Sequence, residues 1–156
     1  MREIDRLLSI YGESHKNKTN KLIHWVCVPA IMFSLTGLIM HIPFFTDVTF
    51  IKNWAAVALI LALFYYFKLS VVMFLGFLSV GSFILYFNLQ LMRYCAIENC
   101  NSAMTLLVIF IVAWIGQFIG HKIEGRKPSF LQDLQFLLIG PAWLLHFIFN
   151  KLGIRY

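Results

Sequence analysis

Between residues 53 and 92, forty consecutive positions hold a single charged side chain, Lys68. A helix crosses the bilayer's hydrocarbon core, about 30 Å thick, with roughly 20 apolar residues. The stretch is too long for one crossing and suits two. It predicts a helical hairpin turning at YYFKLS, with spans at 53–67 and 69–92. Lys68 and the Tyr65–Tyr66 pair then fall at the lipid–water boundary, where amphipathic side chains concentrate. Gly76 and Gly81 on the second arm allow close helix contact, although their spacing is not GxxxG.

Two further apolar runs, 22–40 and 103–120, are expected to cross as well. The first carries Pro29, which a membrane helix tolerates where neighbours take up the freed carbonyl, and which predicts a kink. It begins at Leu22 and lacks a small-residue cleavage site, so it reads as an anchor and not as a removable signal. Upstream, residues 1–14 place Ile4, Leu7, Leu8 and Tyr11 at helical spacing, predicting a short amphipathic helix on the membrane plane. Gly12 is its expected stop, and Thr19 or Asn20 the expected cap of the next helix. Residues 129–150 form a fifth helical element that opens with Ser129, Gln132, Asp133 and Gln135 and contains Gly140–Pro141. It spans, re-enters or lies along the interface.

The fold class expected is therefore all-α: one membrane domain over 1–156, a bundle of about four spans. An N-terminal amphipathic helix and polar cap (1–21) precede it, and the 129–150 helix completes it. A content of 60% hydrophobic and 13% charged residues agrees with a lipid bilayer as solvent. The formal charge of +6 gathers at the ends of apolar runs and forms no nucleic-acid patch. With the N-terminus inside, cytoplasmic segments hold Arg2, Arg6, Lys16, Lys18, Lys21, Lys68, Lys122, Arg126 and Lys127, nine residues against two (Lys52 and Arg93) opposite. That bias sets the expected orientation. Lys151 and Arg155 favour a fifth element that does not fully cross. Short loops suit a bacterial inner membrane, or the endoplasmic reticulum in a eukaryote. Cys27 is expected to pack as a small apolar residue. Cys95 and Cys100 share one loop and can pair if it faces an oxidising compartment.

This topology brings His15, His24 and His121 to one depth on one side of the membrane, with His41 at the other surface. Neutral imidazoles are good ligands for Fe, Zn, Cu or Ni, and three of them leave a position open for substrate. Asn20 and His24 share a helix face at i,i+4, and Gln117, His121 and Glu124 share another at i, i+4, i+7. Two readings stand side by side: a metal site, or solvated and capping polar groups at the interface. A zinc hydrolase with Glu124 as base, a hydroxylase, and a non-enzymatic transport or structural bundle are the alternatives to a redox enzyme.

The residues Tyr11, His15, Asn17, Asn20, His24 and Pro29 read as YxxxHxNxxNxxxHxxxxP. Trp114, Gln117, Phe118, Gly120, His121, Glu124 and Pro128 read as WxxQFxGHxxExxxP, with Asp133 and Pro141 beyond. In these two motifs the chain resembles a family of small multi-pass membrane dioxygenases whose fungal member acts in the endoplasmic reticulum in phytosphingosine breakdown. The resemblance covers nearly the whole chain. It implies an Fe(II)-dependent α-oxidation in which a 2-hydroxy long-chain fatty acid and O2 give a fatty acid one carbon shorter. It also implies that His15, His24 and His121 are catalytic iron ligands. Tyr11, Asn17, Asn20, Gln117 and Glu124 are then expected to fix ligand tautomers or position substrate. His146 lies off the motif, near where the family is expected to carry an acidic residue, and its role is left open.

Overall fold

The computed structural model describes residues 2–13, 15–44, 53–125 and 130–156, the side chains of 130–135 excepted. The expectations attached to Lys52, Arg126, Lys127, Pro128, Ser129 and the side chains of Gln132, Asp133 and Gln135 lie outside the described residues. Six helices follow in order: α1 (Glu3–Glu13), α2 (Lys18–Met40), α3 (Trp54–Leu69), α4 (Val71–Ile97), α5 (Ser102–Glu124) and α6 (Phe130–Lys151). The fold is all-helical, as expected. Three helices, α2, α4 and α5, are long and apolar enough to cross a membrane. Helix α3 is equally apolar but only 16 residues long, or about 24 Å at 1.5 Å per residue.

The hairpin turns at Ser70, whose hydroxyl caps α4 by accepting from Met73 N–H at 3.4 Å. The spans outrun their apolar cores. Helix α2 starts four residues before Leu22, because the cap is Asn17 and neither Thr19 nor Asn20. The Asn17 backbone is extended, and its Oδ1 accepts from Thr19 N–H at 2.8 Å and Asn20 N–H at 3.3 Å. Helix α5 runs on to Glu124, where Gly125 takes a left-handed φ of 73° and donates to the carbonyls of His121 and Lys122. That conformation is cheap only for glycine. Helix α1 passes Gly12 and ends one residue later, within the ordinary fraying of helix ends. Pro29 sits inside α2, which continues through it.

The most extensive contact joins α2 and α5. Gly116 and Gly120, four residues apart, let the two backbones approach. A β-carbon at 116 would lie 2.6 Å from Cys27 Sγ, and one at 120 would collide with Asn20 Oδ1. Cys27 packs there as a small free thiol. Deeper in the bundle, Asn88 of α4 is fully buried and donates to Phe33 O (3.1 Å) and Ile84 O (2.9 Å), tying α4 to α2. At the other end, His41 shares a hydrogen bond with Ser102 Oγ at 2.9 Å, and Cys95 and Cys100 are joined as a disulfide.

Helix α1 packs on α6 rather than lying free. Ile4, Leu7, Leu8 and Tyr11, the face read from the sequence, are buried in one cluster with Ile139, Ala142 and Trp143. Tyr66 of α3 stacks on Phe77 at 3.7 Å and donates to Leu138 O at 2.6 Å. Leu145 and Phe149 fill the notch at Gly76. These contacts place α6 against the half of the bundle that carries His15, His24 and His121.

Candidate metal centre

Three segments meet at the centre. A turn closed by His15 N–H donating to Gly12 O (3.1 Å) follows α1 and carries His15. The second turn of α2 carries His24, and the last turn of α5 carries His121. Glu124 locks the junction. Its carboxylate accepts from Lys16 N–H at 2.7 Å, from Asn17 N–H at 3.0 Å and from Asn20 Nδ2 at 3.0 Å. Negative charge is favoured at this helix N-terminus.

His15 and His24 are each 1% exposed. His15 Nδ1 lies 2.7 Å from Tyr11 O, and His24 Nδ1 lies 2.9 Å from Asn20 O. A carbonyl oxygen only accepts, so in both rings Nδ1 carries the hydrogen and Nε2 presents its lone pair. The two Nε2 atoms face each other at 3.0 Å. Two lone pairs at that distance repel unless a cation sits between them. His121 completes the group: one ligand atom from each of the three rings lies within 4.8 Å of the others. Burial holds the His15 imidazole below its ordinary pKa, so the neutral, ligating form prevails at neutral pH. The cluster can hold a metal ion, and three neutral nitrogens suit Fe, Zn, Cu or Ni.

The remaining expected residues divide. The main-chain carbonyls of Tyr11 and Asn20 hold the ring tautomers, and their side chains do other work. The Tyr11 ring stacks on His15 at 4.1 Å and 15° and is buried. Asn20, Asn17 and Glu124 build the joint beneath the rings. Gln117 lies one turn before His121 and lines a cavity beside it. His41 stands at the far end of α2, about 26 Å from His24 along the axis. His146 is outside the cluster, bonded to the Tyr156 hydroxyl and to Asn150 Nδ2 at 3.0 Å. Trp143, absent from the sequence reading, packs 5.3 Å from His15 and 5.4 Å from Tyr11. The Gly116–Gly120 pair was also missed; its GxxxG spacing was the available signal.

The cavity holds about 570 Å³ between α2 (Val28, Ile31, Met32), α5 (Trp114, Gln117, Phe118, His121) and α6 (Phe136, Leu137, Gly140, Pro141). Lys122 and Gly125, both exposed, stand at its rim. Its walls are mostly apolar, and it meets the metal centre at His121 and Tyr11.

A family model described as 2-hydroxy-palmitic acid dioxygenase Mpo1-like matches residues 1–152. The chain belongs to the Mpo1-like family. It is similar to the 2-hydroxy-palmitic acid dioxygenase MPO1 of Saccharomyces cerevisiae, with 28% identity over 148 residues, covering 94% of this chain and 79% of the yeast protein. No solved structure matches it. The Mpo1-like match spans α1 through α6 and so includes all three ring-bearing segments.

Proposed function

We propose that the chain is an Fe(II)-dependent dioxygenase that shortens 2-hydroxy fatty acids by one carbon at a membrane surface. The observation that carries this reading is the convergence of three imidazoles at the polar end of an apolar cavity. The overall change balances as 2-hydroxy acid plus O2 giving the shortened acid, CO2 and water. His15, His24 and His121 would hold the ion as neutral ligands. When bound, iron(II) supplies open coordination positions and the electrons through which acid and O2 react. The protein's own part is positioning. Tyr11 O and Asn20 O aim the two rings, and Glu124 fixes the segments that bear them. Lys122 at the rim attracts the substrate carboxylate, while Val28, Ile31, Met32 and Pro141 receive the methylenes and keep water out.

The orientation belongs to this proposal. The metal end carries the basic side chains and would face the cytosol; the Cys95–Cys100 disulfide supports this by suiting an oxidising compartment at the opposite end. The three long apolar helices place the chain with membranes; similarity to a yeast protein lends no support to a bacterial inner membrane.

A zinc hydrolase using Glu124 as base is less well served, because both carboxylate oxygens already accept hydrogen bonds from α2 and the turn before it. A transport path fares no better. Ser34 and Asn88, buried within the spans, donate to main-chain carbonyls and form no track. The test is to incubate detergent-solubilised protein with 2-hydroxy-palmitic acid, Fe(II) and O2 and to weigh the products. Loss of one carbon is expected, and intact substrate from verified iron-loaded protein would defeat the reading.

A further inference from the structure

Gln117 is only 6% exposed, yet its side-chain amide bonds to nothing among the described residues. It is not sealed in: it lines the 570 Å³ cavity together with His121. On the same wall, the indole Nε1–H of Trp114 is buried and has no acceptor among the described residues. Positions 114, 117 and 121 are i, i+3 and i+7 and share one face of α5. Buried polar groups are ordinarily satisfied, and those that are not usually await a ligand or water. The chain therefore leaves the Gln117 amide, a donor and an acceptor, at the space next to His121.

We propose that Gln117 is the residue that distinguishes a 2-hydroxy acid from an unsubstituted one. Its Oε1 accepts the proton of the 2-hydroxyl group, and its Nε2 donates to a carboxylate oxygen. A carboxamide offers an acceptor and a donor on two separate atoms of one plane, so it can meet the hydroxyl and the carboxylate together. An acid without the hydroxyl leaves Oε1 buried and unpaired, and a site built to bond a hydroxyl discriminates strongly against an analogue that lacks it. The proposal rests on the dioxygenase reading of the site and adds the group that reads the substrate head.

The test measures binding of 2-hydroxy-palmitic acid and of palmitic acid to full-length protein in nanodiscs. Displacement of a fluorescent fatty acid reports binding, O2 is excluded so that nothing is consumed, and protein is used both Fe(II)-loaded and metal-free. Wild type is expected to favour the hydroxy acid. Gln117→Leu is expected to lower that preference about ten- to a hundredfold, with metal content unchanged and palmitic acid, which loses only the bond to its carboxylate, weakened far less than the hydroxy acid. An unaltered preference in Gln117→Leu overturns the proposal. Should that variant not fold, Gln117→Asn, which keeps both polar atoms but withdraws them by one methylene, carries the test: a reduced preference supports the role and a wild-type preference overturns it. A wild-type protein that neither prefers nor shortens the hydroxy acid fails the functional reading itself, and this proposal falls with it. A wild type that does both beside an indifferent Gln117→Leu fails only the assignment made here.

Discussion

An imidazole ligates a metal usefully only when something decides which of its nitrogens keeps the hydrogen. Here main-chain carbonyls decide it for His15 and His24. Replacing His15, His24 or His121 with Ala one at a time is expected to reduce bound metal from stoichiometric to background, read by elemental analysis. His41→Ala and His146→Ala are expected to leave it unchanged. Glu124 acts differently. Glu124→Gln keeps the shape but loses the charge in three hydrogen bonds at a partly exposed joint. The expected loss of stability is about 1 kcal/mol, discounted for solvent screening and seen as a lower unfolding midpoint in detergent. Topology singled out the three histidines, and helical spacing put Glu124 on the His121 face. It did not reveal that the tautomer-fixing groups are carbonyl oxygens, because every residue has one and no residue type announces its use. Gln117 was visible as a polar residue on the His121 face, but whether it bonded to protein or to open space depended on how α5 is rotated.

At the scale of elements, the joint between α2 and α5 decides whether His24 and His121 share an ion. Gly116 and Gly120 set that separation. Gly120→Ala forces its new methyl against Asn20, whose carbonyl aims His24 and whose amide binds Glu124. Metal affinity is expected to fall about 10- to 100-fold, the range seen when a group supporting a ligand is lost, by titration with a competing chelator. Retained affinity would show that the helices can yield without moving the rings. The helices themselves were legible: hydropathy placed the hairpin, and helical spacing placed the buried face of α1. The ends were less so, since apolar runs mark where lipid is, whereas a helix stops where its free N–H and C=O groups find caps such as Asn17 and Gly125. The docking of α1 on α6 was not legible, because an apolar helical face fits a lipid surface and a protein groove equally well.

Across the whole molecule, three apolar cavities meet. Met32 and Pro141 line all of them: the one of about 570 Å³ at the metal centre, one of about 240 Å³ toward α3 and α4, and a third of about 580 Å³ beside Trp25 and Phe33. Met32 is unbranched and conformationally adaptable, so of the two shared side chains it is the one able to change rotamer. Met32→Ala is expected to shift preference toward longer 2-hydroxy acids and Met32→Phe toward shorter ones, in competition among acids of different chain length. An unchanged order would place the chain elsewhere. The proposed orientation has its own check. In sealed vesicles of known sidedness, a membrane-impermeant maleimide added after reduction should label Cys95 and Cys100 only from the non-cytosolic side.

The disulfide at the end of α4 and the imidazoles at the end of α5 lie at opposite poles of one small bundle. If the first pole is bathed in a milieu that keeps thiols oxidised, the second meets the thiol-rich interior of the cell. A ferrous ion held there would then be kept in its working valence by the surroundings.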